Sequence, residues 1–260
     1  MTGILVTFAA ILGLAVGSFL NVVVHRVPLG ESVVSPPSRC PGCETRIRPL
    51  DNVPVLSWLL LRGKCRTCRC RISPRYPLVE VGTGALFAGL AAHFGAAPEL
   101  PAFLYLAAVG LALALIDLDC KRLPNALVLP SYPVAIVLLA LAVAGPAPLS
   151  ALLRALVCGV ALFLVFLGIA LVKPGGMGFG DVKLAGLLGC YLGWVGWDST
   201  VVGGFLPFLL GGAVGLVLMA LRRAGRRSAI PFGPFMVAGA MIAVVAGQPV
   251  GHAYASFVLG

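Results

Sequence analysis

The sequence predicts an all-α polytopic membrane protein with about eight transmembrane helices and a small polar domain between the first two. Hydrophobic residues make up 60% of the 260 residues and charged residues only 11%, whereas a globular protein averages about 45–50% apolar residues. Several apolar runs reach the ~20 residues that a helix needs to cross a bilayer. These runs are continuous rather than alternating, which argues against a transmembrane β-barrel.

Eight apolar segments are predicted to span the membrane. They cover residues 3–24, 77–94, 101–116, 124–144, 150–172, 184–196, 201–221 and 230–248. The sixth segment is short and contains glycine, so it is expected to be broken or to thin the bilayer locally. The chain therefore divides into a first transmembrane helix (1–24), a polar, cysteine-rich domain (25–76) and a transmembrane domain of about seven helices (77–260). No internal repeat is evident.

The basic residues predict how the chain is oriented. The net charge is +10, and eighteen of the nineteen Lys and Arg residues lie in the segments 25–76, 117–123, 173–183 and 222–229. Because Lys and Arg gather in cytoplasmic loops, we expect these segments to be cytoplasmic and the N-terminus to lie outside. Arg154 is the exception and is expected to snorkel near the outer end of its helix. The positive charge is thus attributed to topology in a lipid bilayer, and no nucleic-acid partner is expected.

Four of the five cysteines in the cytoplasmic domain form two CxxC pairs. These are CPGC (Cys40 and Cys43) and CRTC (Cys65 and Cys68), separated by 21 residues. Each pair can bring two thiolates to one ion, and two pairs complete a tetrahedral zinc site. Cys70 is an alternative zinc ligand. The cysteines could instead form disulfides, but a reducing cytoplasm disfavours disulfides. Four ligands leave no position open for catalysis, so the zinc is predicted to be structural.

Carboxylates in two separate segments at the same membrane face are the candidate catalytic groups. Asp117 and Asp119 lie at the cytoplasmic end of the third span, and Asp181 lies just before the sixth. Such carboxylates are costly to desolvate and are functional candidates by default. Two that meet cannot easily both ionise, so one can act as base and the other as acid around a water, as in aspartic proteases. Glycines beside Asp181 would allow close approach of an extended substrate; they are Gly175, Gly176, Gly178 and Gly180.

Plainer interpretations of these residues stay open. The aspartates after the third span could balance Lys121 and Arg122, and Asp181 could pair with Lys183. A phosphate-binding loop is disfavoured, because no strand precedes the glycines and the Gly-Lys-Ser/Thr ending is missing. A transporter with ion sites at broken helices would predict inverted repeats. A non-enzymatic scaffold would depend on the cysteines and tolerate changes at the aspartates.

Four segments, in order along the chain, resemble a known family. They are GSFLNVVVHRVP (17–28), the stretch from SRCPGC to YPLVE (38–80), IDLDCKRLPN (116–125) and GGMGFGDVKLAG (175–186). Together they resemble the bacterial type IV prepilin peptidases, membrane aspartic proteases of the GxGD type. A weaker hint is AIPFGPFMVAG (229–239).

The resemblance implies a function and a set of site residues. The family removes the basic leader from prepilins and pseudopilins at the cytoplasmic face of the bacterial inner membrane, and many members then methylate the new N-terminal amine with S-adenosylmethionine. It implies that Asp117 and Asp181 are the catalytic pair, Asp117 being preferred because it stands seven residues before Pro124. The residues expected to support the catalytic loop are Gly178, Gly180, Lys183 and Asp119. No glycine fingerprint locates a S-adenosylmethionine site, and a peptidase without methyltransferase activity, its zinc domain serving as a scaffold, is the alternative.

Overall fold

The computed structural model describes residues 2–172, 176–222 and 230–259, and in these residues the chain is helical apart from its connections. The α-helices are α1 (Thr2–Arg26), α2 (Leu56–Leu60), α3 (Arg75–Phe94), α4 (Leu100–Cys120), α5 (Asn125–Val143), α6 (Leu149–Val172), α7 (Phe179–Val195), α8 (Trp197–Ala220) and α9 (Gly233–Leu259). The described part contains two isolated β-bridges and no longer strand. The predicted all-α class is therefore confirmed. Gly175 and three arginines of the basic segment 222–229 lie outside the described residues; the arginines are Arg223, Arg226 and Arg227.

Seven helices of the described part are long and apolar enough to cross a membrane. They are α1, α3, α4, α5, α6, α8 and α9. The sixth predicted span corresponds to α7, which has only 17 residues and so rises about 26 Å, less than the ~30 Å of a bilayer core. Every residue from Leu184 to Trp194 is buried, because α5, α6, α8 and α9 pack around α7. A short helix can run through this unit because protein, not lipid, surrounds it.

Several helix ends differ from the sequence-based boundaries, and two of these differences involve the candidate aspartates. Helix α4 continues to Cys120, so Asp117 lies in its last turn. Helix α7 begins at Phe179, with Gly178 as the N-terminal capping residue and Asp181 in the first turn. The polar residues at these positions resemble loop residues in the sequence. Glycine is accepted at an N-cap, however, and an acidic residue three positions later can satisfy a free backbone N–H.

The first of two compact units covers residues 1–108, and its central contact joins α1 to α3. Gly13 and Gly17 stand four residues apart on the α1 face that meets α3. A Cβ at Gly13 would lie 2.7 Å from the Thr83 carbonyl oxygen, and one at Gly17 would lie 2.7 Å from Glu80 Cα. Small residues at this spacing let two membrane helices approach until their backbones touch. The contact fixes the start of α3 beside the end of α1.

The second unit covers residues 109–260 and is built around α7. Helix α6 approaches it so closely that a Cβ at Gly189 would lie 2.7 Å from the Cys158 carbonyl oxygen. Arg154 of α6 donates hydrogen bonds to the carbonyl oxygens of Gly193 and Trp194. The guanidinium of Arg154, a residue that the sequence predicts to snorkel, binds free carbonyl groups at the end of α7, a C-terminal cap that also favours a positive charge.

Candidate functional site

Asp117 is held by a backbone amide from the far end of the chain. Its side chain is 5% exposed, at the end of α4. The carboxylate Oδ2 accepts a hydrogen bond of 2.8 Å from the N–H of Gly233, the first residue of α9. The first amide groups of a helix have no partner within it and carry partial positive charge. The buried Asp117 carboxylate therefore has a fixed position relative to α9.

Asp181 is held by the beginning of its own helix. Its carboxylate accepts a hydrogen bond of 3.1 Å from the N–H of Gly178, three residues earlier. The Asp181 N–H in turn donates to the Gly178 carbonyl oxygen at 3.0 Å. The side chain is half-buried. Asp181 thus closes the first turn of α7, which gives its carboxylate a defined direction.

Asp117 and Asp181 are 64 residues apart in sequence, yet they lie close enough to interact electrostatically. Asp119 is exposed, and two residues along a helix it points away from the face that carries Asp117. Of the three predicted aspartates, Asp117 and Asp181 are the two between which the structure shows an electrostatic interaction. Two carboxyl groups that come within hydrogen-bond reach of each other can hold one proton between them and orient a water molecule.

The predicted supporting residues lie in the first turns of α7. A Cβ at Gly180 would lie 3.0 Å from Leu123 Cβ, so a larger residue would press on the connection that follows α4. Lys183 donates a hydrogen bond of 2.8 Å to the Asn125 side-chain oxygen, and its Nζ lies 4.8 Å from the centre of the Phe179 ring. The plainer interpretation required an ion pair between Lys183 and Asp181. The structure shows none, because no Lys183 nitrogen lies within 4.0 Å of an Asp181 carboxylate oxygen.

Helix α5 is tied to α7 at two points beside the aspartates. Asn125, the first residue of α5, accepts the hydrogen bond of Lys183. About two turns further on, the Tyr132 hydroxyl donates to the Lys183 carbonyl oxygen at 2.6 Å. The motif that ends in Asn125 is thus linked, through Lys183, to the motif that contains Asp181. Sequence reasoning did not identify Asn125 or Tyr132, because neither residue type carries an obvious role in its own motif.

Gly233 is the functional candidate that the sequence indicated least. A Cβ at this position would lie 2.9 Å from the Asp117 Oδ2 atom, so no larger side chain fits without moving the carboxylate. Its contribution is a backbone N–H, which no residue-type pattern reveals. The only signal was the weak similarity of AIPFGPFMVAG, which contains Gly233.

The cysteine-rich segment forms two equivalent turns 25 residues apart. In the first, the N–H of Cys40 donates to Thr45 and that of Ile47 to Ser38; in the second, Cys65 donates to Cys70 and Ile72 to Gly63. A β-bridge closes each turn, between residues 39 and 46 and between residues 64 and 71. The structure thus shows an internal repeat that the sequence pattern did not make evident.

Four thiols of these turns form a cluster that could hold a metal ion. The Sγ atoms of Cys40, Cys43, Cys65 and Cys68 all lie within 4.8 Å of one another. Cys70 also approaches, with its Sγ 3.3 Å from that of Cys40, whereas Cys68 Sγ is 3.7 Å from it. Distance alone therefore does not choose between Cys68 and Cys70. The repeat favours Cys68 as the fourth ligand, because Cys68 occupies the position of Cys43 in the first turn. Cys70 occupies the position of Thr45, which is not a cysteine.

Backbone amides within each turn favour the thiolate form of its first cysteine. The backbone N–H of Gly42 lowers the pKa of Cys40 to about 6, and the Cys70 thiol acts in the same direction. The backbone N–H groups of Cys68 and Thr67 lower the pKa of Cys65. Metals bind the thiolate and not the thiol. The first cysteine of each turn is therefore the one whose thiolate form the backbone favours, whereas the pKa values of Cys68 and Cys70 are raised.

Comparisons with known proteins cover nearly the whole chain. The model of the bacterial peptidase A24 N-terminal domain matches residues 11–94, and that of the type IV leader peptidase family matches residues 104–221. A prepilin leader peptidase/N-methyltransferase of Stutzerimonas stutzeri is 36% identical, over 96% of this chain and 93% of its own length. One from Pseudomonas putida is 40% identical over 94% of this chain and 92% of its own. One from Pseudomonas aeruginosa is 37% identical over 95% and 92%. No solved structure gives a significant match.

Proposed function

We propose that this chain, which belongs to the type IV leader peptidase family, is an aspartic endopeptidase that removes the basic leader of prepilins or pseudopilins and then N-methylates the new N-terminus. Relatives that align over nearly the whole chain bear the name prepilin leader peptidase/N-methyltransferase. Seven apolar helices and the family membership make it a multi-pass protein of the inner membrane. The charge bias supports an orientation with the N-terminus outside and the cysteine-rich segment and aspartates at the cytoplasmic face.

The observation that carries the peptidase proposal is the electrostatic interaction between Asp117 and Asp181. In the proposed reaction the ionised carboxylate takes a proton from a water molecule, and the protonated carboxyl polarises the scissile carbonyl. The water oxygen attacks the carbonyl carbon, and the resulting tetrahedral species releases the mature N-terminus as an amine that leaves with a proton. The Gly233 and Gly178 amides keep the two carboxylates in the geometry that this exchange needs, as a positional error of about 1 Å can cost 10²-fold in rate.

The substrate class fits the location of these aspartates. A prepilin carries a basic leader followed by an apolar stem, so its cleavage point lies where the chain enters the membrane. Asp117 ends an apolar helix, and Asp181 opens another. Both carboxylates thus lie at polar ends of helices. The bond to be cleaved in a membrane-inserted prepilin lies at the same level, at the membrane boundary.

The four clustered thiols are proposed to bind a structural zinc ion. Cys40, Cys43, Cys65 and Cys68 supply the sulfur ligands that zinc prefers, and together they complete a tetrahedral set. Residues 27–74 contain few buried apolar side chains, so a metal would supply cohesion that a hydrophobic core does not.

Methyl transfer requires a donor, which is proposed to be S-adenosylmethionine. When bound, it supplies a methyl group: the carbon–sulfur bond breaks, a carbon–nitrogen bond forms to the new amine, and that amine loses a proton. The chain's part is to bind the donor and to present the amine in its unprotonated form.

One experiment tests both activities. Purified protein is incubated with a prepilin and S-adenosylmethionine, and the intact mass of the product is measured, with Asp117→Asn, Asp181→Asn and Asp119→Asn in parallel. We expect loss of the leader and gain of one methyl group with the wild type and with Asp119→Asn, and no cleavage with the other two variants. Cleavage at the wild-type rate by both Asp117→Asn and Asp181→Asn would refute the assignment. Leader loss without methylation would leave a peptidase only.

A further inference from the structure

A cavity of about 580 Å³ lies within the first unit, between the end of α1, the cysteine-rich loops and the start of α3. Small-molecule sites commonly enclose about 300–1,000 Å³. Amide, aromatic, guanidinium and carboxylate side chains line it; among them are Asn21, Asp51, Trp58, Arg66, Tyr76 and Glu80. None of these residues takes part in the proposed cleavage, so the cavity is available for another task.

Glu80 presents an unsatisfied carboxylate oxygen to this cavity. The residue is 8% exposed and lines the cavity wall. One oxygen, Oε2, accepts a hydrogen bond of 2.7 Å from the Val55 N–H. In the described part of the chain the other oxygen has no hydrogen-bond or ionic partner. This second oxygen is not itself fully buried and faces the space of the cavity, so a ligand that carries a donor or a positive group can join it there.

The other charged groups of the cavity are already engaged or lie at its rim. Asp51 accepts three hydrogen bonds of 2.6 to 3.0 Å from the Arg66 guanidinium. Arg26 donates to the Ser32 and Pro36 carbonyl oxygens. Arg48 and Arg71 line the cavity but are exposed. The interior therefore offers one free acidic group, and its opening offers guanidinium groups that can bind a carboxylate.

An aromatic wall is held in place beside these charges. The Trp58 indole N–H donates to the Ile72 carbonyl oxygen at 3.2 Å. On one side the ring packs so closely on Gly63 that a Cβ there would lie 2.9 Å from it. Gly63 also has a φ of +65°, which glycine adopts readily. A fixed indole with one covered side suits stacking against a flat heterocycle.

We propose that this cavity is the S-adenosylmethionine site of the protein, an inference that rests on the proposed methyl transfer. The donor carries an adenine ring, a carboxylate and two positive groups, and the cavity provides a partner for the ring, for the carboxylate and for one positive group. Glu80 receives a positive group, Trp58 stacks on the adenine, and Arg48 or Arg71 binds the carboxylate. The site lies wholly within residues 1–108, so donor binding and peptide cleavage use different units of the chain.

Glu80 also anchors the loop at Val55, and the test must separate that role from ligand binding. Glu80→Gln keeps a side-chain oxygen that can accept the Val55 N–H but removes the negative charge. Glu31→Gln makes the same change at an exposed residue outside the cavity. Binding of S-adenosylmethionine to full-length protein in nanodiscs is measured by titration calorimetry, with bound metal and the thermal unfolding midpoint recorded for each variant.

We expect Glu80→Gln to weaken S-adenosylmethionine binding by roughly tenfold or more and Glu31→Gln to leave it unchanged. Ultraviolet cross-linking of S-adenosylmethionine to the wild type, which needs no variant to fold, should modify peptides within residues 49–62 or 75–80. Two results would overturn the site and leave the proposed function standing. One is a wild type that methylates but cross-links to S-adenosylmethionine only outside these peptides. The other is a folded Glu80→Gln variant that binds S-adenosylmethionine with the wild-type affinity.

A wild type that cleaves prepilin but neither binds nor methylates with S-adenosylmethionine would overturn the proposed methyl transfer and this inference with it. Phosphatidylglycerol is the competing occupant, since exposed arginines at a membrane boundary attract anionic headgroups. Nanodiscs with and without this lipid distinguish the two. If phosphatidylglycerol abolishes S-adenosylmethionine binding, and the protein still methylates in nanodiscs without this lipid, the two molecules share the cavity and the proposal is supported. If the lipid occupies the cavity and S-adenosylmethionine binds in neither kind of nanodisc, the proposal is overturned.

Discussion

The backbone N–H of Gly233 donates a 2.8 Å hydrogen bond to the carboxylate of Asp117 across 116 residues of sequence. The contact places the first turn of the last helix directly against one of the two candidate catalytic carboxylates. It uses no side chain of α9. The absence of a Cβ at Gly233 is what allows the amide to come so near, because a Cβ would stand 2.9 Å from the same oxygen.

Gly233→Ala should therefore displace Asp117 while leaving every candidate catalytic group in the chain. We expect kcat for leader cleavage to fall by roughly 10- to 100-fold, with little change in KM, since carboxylate position rather than substrate binding is altered. Gly212→Ala is the matched control, because its Cβ would meet nothing within 4 Å. Initial rates on one prepilin at several concentrations decide the matter, and equal kcat values for the two variants would contradict the positioning role.

The Asn125–Lys183 hydrogen bond makes a second positioning prediction. Asn125→Ala and Lys183→Met each remove the same 2.8 Å bond between α5 and α7. Each change should lower the cleavage rate roughly three- to tenfold, and the double variant should be no slower than the slower single variant, because both act on one interaction. Arg122→Met, a change at an exposed cation of the adjoining connection, should have little effect. Rate losses that multiply in the double variant would show that the two residues act independently.

Some of this site could be predicted from sequence, and the remainder could not for physical reasons. Asp117, Asp181 and the paired cysteines have side-chain chemistry that stands out in an apolar chain, so residue type and spacing sufficed to select them. Gly233 acts through its backbone. Glu80 looks like an ordinary acid at a helix start until the fold buries it. Their importance arises from which segments pack together, which local patterns do not contain.

The choice between Cys68 and Cys70 as metal ligand has a direct test. Because Cys70 matches Thr45 in the repeated turn, Cys70→Ser should purify with as much zinc as the wild type. Cys68→Ser should lose most of it, because a three-ligand set remains. Metal per protein is measured by inductively coupled plasma mass spectrometry. Zinc lost from Cys70→Ser but retained by Cys68→Ser would make Cys70 the fourth ligand, as the shorter distance to Cys40 suggests.

The aspartate pair predicts a pH optimum for cleavage. The proposed reaction needs one carboxyl protonated and one ionised, so the rate should fall at low pH, where both are protonated, and at high pH, where both are ionised. The profile of kcat/KM against pH on a prepilin without titratable groups near the cleavage point should be bell-shaped. A flat profile between about pH 4 and pH 10 would argue against paired carboxylates.

Asp51 predicts a pH dependence of stability in the cysteine-rich segment. Hydrogen bonds from Arg66 lower the pKa of Asp51 below its ordinary value of 3.8. A carboxyl whose pKa is lowered by folding stabilises the fold above its unfolded pKa and loses that effect as the pH falls through the folded value. The contribution is therefore complete above about pH 5 and is lost as the pH falls through the folded pKa, which lies below the ordinary value.

The size of this effect is limited because the Arg66 side chain is 57% exposed, and water screens such pairs. Amide hydrogen exchange over residues 49–67 should show faster opening in Asp51→Asn than in the wild type at pH 6, by up to about fivefold. At pH 3 the two proteins should converge, while Glu44→Gln, an exposed acid of the same segment, should match the wild type at both. A difference of equal size at pH 6 and pH 3 would mean that Asp51 acts through packing and not through its charge.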